Sequence, residues 1–386
     1  MLYRVAIASA IVATAFAQVR VVEAPQKDQE WEDYKKMYKK TYESPADERE
    51  RQSLFEASKQ RVARLNEVNK KAGNAFGINW FSDRKPDEMN KRGHVKPEGW
   101  TPTAPVKDYK ATRRANPPAA LDWQFTSAVT AIKNQGQCGS CWAFSATEAV
   151  ESQLVLSSGN QVRIELAPQQ TTSCTPSPAQ GCNGGFTEAA YEYMGTVTGL
   201  TNSFNYPYMQ SLTATSATQA CNTAKVAAID GPMMQLTGGY AAVSGYHYAT
   251  TPCTSGACAN QDLAALQAAI ETTPVSVCVN AASWNDYTGG VMTSAACGSM
   301  AAKAQDHCVM ATGFNTTAPT PYWIVRNSWS STWGEYGYIY LEMAENTCGI
   351  ADDATIPEVA LDLTDAQKAK VAAGRERLYQ KAVLAQ

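Results

Sequence analysis

The stretch Gln135-Gly136-Gln137-Cys138-Gly139-Ser140-Cys141-Trp142-Ala143-Phe144-Ser145 carries more of this chain's chemistry than any other. After Cys141 the apolar residues Ala143, Phe144, Ala146, Ala149, Val150 and Leu154 recur at helical spacing, uninterrupted until Gly159. Cys141 is therefore expected at a helix start, where free backbone N–H groups and the helix dipole favour an anion. That placement lowers a thiol's pKa and supplies thiolate for attack. Two other uses of C-x-x-C compete with this one. A zinc site needs a second C-x-x-C or a His pair at ligand spacing, and a redox pair needs a flanking βαβ pattern; neither is found.

A thiolate nucleophile needs an imidazole beside it, first as base and then as acid for the leaving amine. The chain has 3 histidines. His94 lies in a front segment read below as removable. His247 sits in Ser244-Gly245-Tyr246-His247-Tyr248, a loop or short strand without a supporting motif. His307 follows Asp306 and opens the apolar, strand-like run Cys308-Val309-Met310-Ala311, and elimination favours it. Asn327, in Val325-Arg326-Asn327-Ser328-Trp329, can accept the ring's other N–H without competing for the proton. Trp329 beside it would keep water away from that bond.

With 386 residues, 44% hydrophobic and 18% charged, the chain can bury a sizeable core. A net charge of −3 offers no attraction for nucleic acid or an anionic membrane. Arg4, an apolar run from Val5 to Phe16 and Ala15-Phe16-Ala17 read as a signal peptide over 1–17, too short to span a bilayer. The 11 cysteines suit an oxidising compartment, and their odd number leaves at least one thiol unpaired within the chain. All of them lie beyond residue 137, so a charged, cysteine-free front precedes a disulfide-bearing body. From Trp31 to Lys71 charged residues alternate with Leu54, Phe55, Val62 and Leu65 near one helical face. Residues 96–118, with Pro97, Pro102, Pro105, Pro117 and Pro118, read as an exposed linker, and Arg113-Arg114 as a processing point.

Together these motifs resemble the papain and cathepsin L type of cysteine protease, over residues from about 31 to 360. Cys138 to Trp142 fits C-G-[SA]-C-[WY]. Asp47, Arg51, Phe55, Val62 and Asn66 fit the interrupted helix signature of the family's propeptides, with Asp47 in place of Glu and Ser58 in place of Asn. Gly77-Ile78-Asn79-Trp80-Phe81-Ser82-Asp83 matches the second propeptide motif, G-x-N-x-F-x-D. Ser330 replaces the family's glycine after Trp329. The interval from Cys141 to His307 is 307 − 141 = 166 residues, against roughly 130–150 in the family; we assign the surplus to an insertion between about 230 and 260.

The resemblance implies an α+β, papain-like two-domain body, with a helical half and a β-barrel-like half flanking a cleft, behind a small helical inhibitory prodomain. The expected divisions are signal peptide 1–17, propeptide and linker 18–116, catalytic domain 117–363 and C-terminal helical extension 364–386. The implied catalytic set is Gln135 (oxyanion hole), Cys141, His307 and Asn327. Substrate would meet Gly184, Gly185, Phe186, Cys278, Asp306, Cys308, Trp329 and Asp353. Asp353 at the floor of S2 implies that P2 takes bulky apolar side chains and also Arg. The resemblance implies the disulfides Cys138–Cys182, Cys174–Cys221 and Cys297–Cys348. Cys253 and Cys258 are placed to close a small loop, and Cys278 and Cys308 are left either as pocket-facing thiols, as small buried hydrophobes or as a further pair.

No paired-histidine insertion of the carboxydipeptidase kind stands between Cys221 and Cys278, which leaves an endopeptidase. The expected product is a zymogen, a monomer activated by acid as carboxylates of the prodomain protonate. Its expected partners are protein and peptide substrates and its own propeptide, with neither metal nor cofactor. Asn315-Thr316-Thr317 is a glycosylation sequon and Thr364 with Gln367 a capping box. The destination is the secretory pathway, then lysosome, vacuole or the extracellular space. A catalytically silent homologue serving as a scaffold is the alternative, and the full set of four catalytic residues argues against it.

Overall fold

A computed structural model describes residues 29–89, 91–197, 199–210, 217–227, 242–361 and 365–384. The signal peptide, the first part of the expected insertion and Thr364 lie outside them. The chain divides into a first unit ending at Glu48 and a second running from Arg49. In the first, helix α1 (Gln29–Tyr38) sets Trp31 against Tyr34 and Tyr42, each 5.6 Å between ring centres. Lys35 pairs there with Glu32 and Glu48.

Helix α2 (Pro45–Asn69) carries buried Phe55, Ser58, Leu65 and Asn69, spaced three, seven and four apart, with half-buried Val62 filling the gap. That is the heptad-like face expected of a helix lying on a core. Ser58, one of the two departures from the propeptide signature, still donates its hydroxyl to the Ser82 carbonyl at 2.7 Å. Asn66 does the work of a backbone turn: its oxygen accepts from Ala75 and Phe76 N–H, and its amide donates to the Phe76 carbonyl.

Helices α3 (Cys141–Ser157), α4 (Pro168–Cys174) and α5 (Thr187–Thr196) form the helical half, around Trp142, Ala146, Tyr191 and Met194. Helix α6 (Leu263–Ile270) precedes the main strands and α7 (Asp365–Leu384) closes the described chain. The strands are β1 (Ala120–Asp122), β2 (Ala242–Tyr248), β3 (Val275–Val279), β4 (Val291–Met292), β5 (His307–Asn315), β6 (Tyr322–Arg326), β7 (Tyr338–Glu342) and β8 (Ala354–Ala360). They order as β2-β8-β3-β5-β6-β7-β4, with β1 on β5; β4 pairs with β7 in parallel and the other pairs are antiparallel. Strands β3 and β5 are buried along nearly their whole length, as strands covered on both faces must be.

One expectation needs correcting. Among the described residues the sheet is open, with β2 and β4 at its ends, and is not closed into a barrel. Residues 242–248, which fall within the expected insertion and include the stretch read as a loop or short strand, form the edge strand β2, paired with β8. His247 on that strand is held between Tyr109 Oη at 2.7 Å and Glu358 Oε1 at 3.0 Å. The C-terminal extension docks on the body: Leu378, Tyr379 and Ala382 are buried, Tyr379 lies beside Trp123, and Arg114 lies 3.7 Å over the Tyr379 ring.

Helix α3 packs on β5 and β8. Ser145, one turn beyond Cys141, donates to the Val309 carbonyl at 2.8 Å and meets Ser276 Oγ at 2.6 Å. This buried polar joint holds the helix bearing Cys141 to the strand that His307 opens.

Candidate active site

Cys141 is the first residue of α3 and is fully buried. All ten other cysteines are bonded, in the pairs Cys138–Cys182, Cys174–Cys221, Cys253–Cys258, Cys278–Cys308 and Cys297–Cys348, so Cys141 holds the one free thiol. Cys278 and Cys308 are therefore a disulfide rather than two thiols. They face each other in the β3–β5 register, a pairing that only the strand alignment decides.

His307 Nε2 lies 2.8 Å from Asn327 Oδ1, and its Nδ1 has no hydrogen-bond partner among the described residues. The Asn327 oxygen also accepts from Ser328 N–H, and the Asn327 N–H donates to the Gly337 carbonyl. Trp329 lies 4.8 Å from the imidazole and Trp284 stands edge-on at 5.9 Å, so the His–Asn bond is screened from water. Arg326, just before Asn327, pairs with Glu148 of α3 at 3.3 Å, both side chains being 2% exposed. Ser330 keeps the left-handed backbone, φ +76°, that its position requires even without glycine.

Gln135 is buried beside them. Its Oε1 accepts from Ser328 Oγ at 2.7 Å, and its Nε2 donates to the carbonyls of Cys138 at 3.0 Å and Lys91 at 2.8 Å. Lys91 belongs to the segment that crosses the site. Two residues on, Gly93 N–H points at Cys141 Sγ at 3.2 Å. Gly185 N–H then donates to the Gly93 carbonyl, and Val95 N–H to the Gly185 carbonyl. Thus Gly185 pairs with the crossing segment as a strand would, while Phe186 meets Trp100 edge-on. Asp306 receives Arg92 at 2.6 Å, and its own carbonyl accepts from His94 N–H.

The same segment fills the pocket beside Cys308. His94 Nδ1 is 3.1 Å from Cys308 Sγ, and Lys96 Nζ is 2.7 Å from both Asp353 and Glu188. Sequence reasoning missed Lys91, Gly93, Lys96 and Glu188. The only local signal was a glycine opening the short run Gly93-His94-Val95-Lys96 before the prolines.

Burial under this segment shapes the charges. It pushes the Cys141 thiol up to about 11, against the pull of the Cys308, Gly93 and Trp142 backbone N–H groups. It pulls His307 down to about 3, although the Asn327 bond works the other way. Both groups are therefore neutral across the physiological range. Burial also draws Lys96 down, but the carboxylates of Asp353 and Glu188 outweigh it and raise it to about 12.

A free thiol at a helix start, an imidazole fixed by a carboxamide, and an upstream stretch of chain lying over both make up a covered cleft. The model of the papain family cysteine proteases matches residues 117–358, and that of the cathepsin propeptide inhibitor domain (I29) matches residues 31–89. Digestive cysteine proteinase 2 of Homarus americanus is 31% identical over 338 residues, 85% of this chain and 94% of the relative. Cysteine proteinase 1 of Dictyostelium discoideum is 32% identical, over 78% of this chain and 84% of its own. The solved digestive procathepsin L2 proteinase of Tenebrio molitor larval midgut aligns with TM-score 0.69 at 29% identity, over 85% of this chain and 98% of that one. The chain belongs to the papain family of cysteine proteases and carries its cathepsin-type propeptide, which implies a zymogen. Among the described residues no helix is long and apolar enough to cross a membrane.

Proposed function

We propose that the mature chain is an endopeptidase that cuts peptide bonds through an acyl-enzyme on Cys141. Removal of the prosegment rehydrates the cleft and lifts the desolvation that keeps thiol and imidazole neutral, so the proton passes from Cys141 Sγ to His307 Nδ1. The thiolate attacks the peptide carbonyl. Gln135 Nε2 and the Cys141 backbone N–H donate to the oxyanion, and His307 returns its proton to the leaving amine. Water, deprotonated by the same imidazole, then hydrolyses the thioester. Asn327 accepts the Nε2 proton's hydrogen bond throughout and so leaves Nδ1 to face the thiol.

The observation that carries this reading is the course of the prosegment. A backbone carbonyl, that of Lys91, already accepts from Gln135 Nε2, while Gly93 N–H lies on Cys141 Sγ. A peptide therefore fits the cleft in contact with both groups. Irreversible labelling of the activated enzyme by an epoxide inhibitor, lost in Cys141→Ala, tests it. An unlabelled or inactive enzyme after prosegment removal would leave a silent scaffold instead.

In the same reading, residues 1–17 are a signal peptide, 18–116 the propeptide and linker, 117–363 the catalytic domain and 364–386 an extension. Asn315 carries a glycan on a monomeric enzyme bound for a lysosome, vacuole or the extracellular space. Its carboxamide oxygen accepts from Thr317 and Ala318 N–H at the end of β5, a turn that leaves the sequon at the surface. Asp353 gives P2 a taste for Arg beside bulky apolar side chains.

A further inference from the structure

Lys96 lies where a cation is needed. Its Nζ is 2.7 Å from Glu188 Oε1 and 2.7 Å from Asp353 Oδ2, and these side chains are 0% and 2% exposed. Asp353 receives no aligned hydrogen bond; Lys96 Nζ is the near cation, and His94 Nε2 stands farther off at 3.7 Å. Glu188 adds the hydroxyls of Tyr248 at 2.9 Å and Thr187 at 3.2 Å. Two carboxylates side by side out of water persist only with a cation between them or a proton shared. Lys96 belongs to the prosegment and departs with it. The titratable groups that stay around Glu188 are Asp353, Tyr191, Tyr246 and Tyr248, none of them positive. His94, whose Nε2 lies 3.7 Å from Asp353, leaves with the prosegment too.

We propose that Glu188 is a second specificity-determining carboxylate of S2, and that the vacated Glu188–Asp353 pair selects Arg or Lys at P2. The basic side chain takes the place of Lys96, and a guanidinium fork spans both carboxylates. An apolar P2 side chain is accommodated once the pair has taken up a proton. The inference rests on the endopeptidase reading above and on Asp353 lying in S2.

Its pH sign follows from the neighbours. Burial and then Asp353 raise the Glu188 carboxyl above its ordinary 4.5, while Lys96 draws it down. Without Lys96 the pair holds a proton to higher pH still. Basic P2 is therefore favoured toward neutrality and apolar P2 toward acid, with the crossover above pH 4.5.

The test uses the activated enzyme, titrated by the epoxide inhibitor, on fluorogenic peptides that differ only in Arg, Lys, Leu or Phe at P2. In the wild type the Arg/Leu ratio of kcat/KM is expected to rise about tenfold or more from pH 4.5 to 7. Glu188→Gln keeps an acceptor for Tyr248, and it is expected to lower that ratio about tenfold at pH 7 and flatten its pH profile. Asp353→Asn should act in the same direction. A ratio and profile unchanged in Glu188→Gln would overturn the proposal, as would a ratio below one in the wild type at pH 7. If no peptide is cleaved although Cys141 is labelled, it is the endopeptidase reading that fails.

Discussion

Gly93, in the segment that crosses the candidate site, points its N–H at Cys141 Sγ and has no room for a side chain. A Cβ built on it would lie 1.9 Å from the Gly139 carbonyl oxygen, 2.4 Å from its carbon and 2.8 Å from its Cα. These are backbone atoms two residues before Cys141. They are held in turn by the Gly139 N–H bond to the Cys182 carbonyl and the Cys138–Cys182 disulfide. The prosegment must therefore yield in Gly93→Ala. Moving from 1.9 Å to the 3.4 Å of ordinary contact is a retreat of about 1.5 Å. Three hydrogen bonds break with it: Gly93 N–H to Cys141 Sγ, Gly185 N–H to Gly93, and Val95 N–H to Gly185. At about 1 kcal/mol each the loss is about 3 kcal/mol, or roughly 150-fold in the open fraction. The assay is the rate of Cys141 alkylation in the intact proenzyme at neutral pH, before any processing. Wild-type and variant should differ by about two orders of magnitude. Alkylation within threefold of wild type would show that Gly93 does not seat the prosegment on the thiol.

Other outcomes follow from single contacts. Ser330→Gly relieves a left-handed backbone on a non-glycine residue and should stabilise the enzyme by about 1 kcal/mol; a fall in melting temperature would contradict that. Glu88 is held below the ordinary 4.5 chiefly by the Arg51 hydrogen bond, so this pair contributes fully above pH 4.5 and is lost as pH falls through the lower folded value. Glu88→Gln proenzyme should accordingly process faster at mildly acidic pH, with a flatter acid dependence, and identical processing profiles would rule the pair out as a brake. Gln135→Ala should lower kcat by about 100-fold or more with KM little changed, and a loss confined to KM would remove it from the oxyanion hole. A Cβ on Gly374 would lie 2.1 Å from the Gly159 carbonyl oxygen. Gly374→Leu should thus push α7 off the body at a cost of about 2 kcal/mol, read as faster hydrogen exchange across residues 365–384; unchanged exchange would mean the helix is not seated there.

Cys141, Asn327 and the propeptide motifs were legible in the sequence because each is a short run whose chemistry is local. A helix start is written in the residues that follow it, and a turn in the asparagine that makes it. His307 needed elimination among three histidines, since a strand-opening imidazole carries no local mark. Asp353 came from counting along a resemblance, and Glu188 from nothing in the linear order. The tertiary structure alone decided three matters: that Cys278 and Cys308 are bonded, that the sheet among the described residues stays open with β2 at its edge, and that Lys96 sits on two carboxylates. Each depends on register or on partners far apart in the chain. Cys278 meets Cys308 because β3 and β5 align residue for residue. Lys96 meets Glu188 and Asp353 because α5 and the approach to β8 converge on one buried place. Charge in such a place is set by what stands across from it. A linear order records who the neighbours along the chain are, and desolvation and pairing act between residues that only folding makes neighbours.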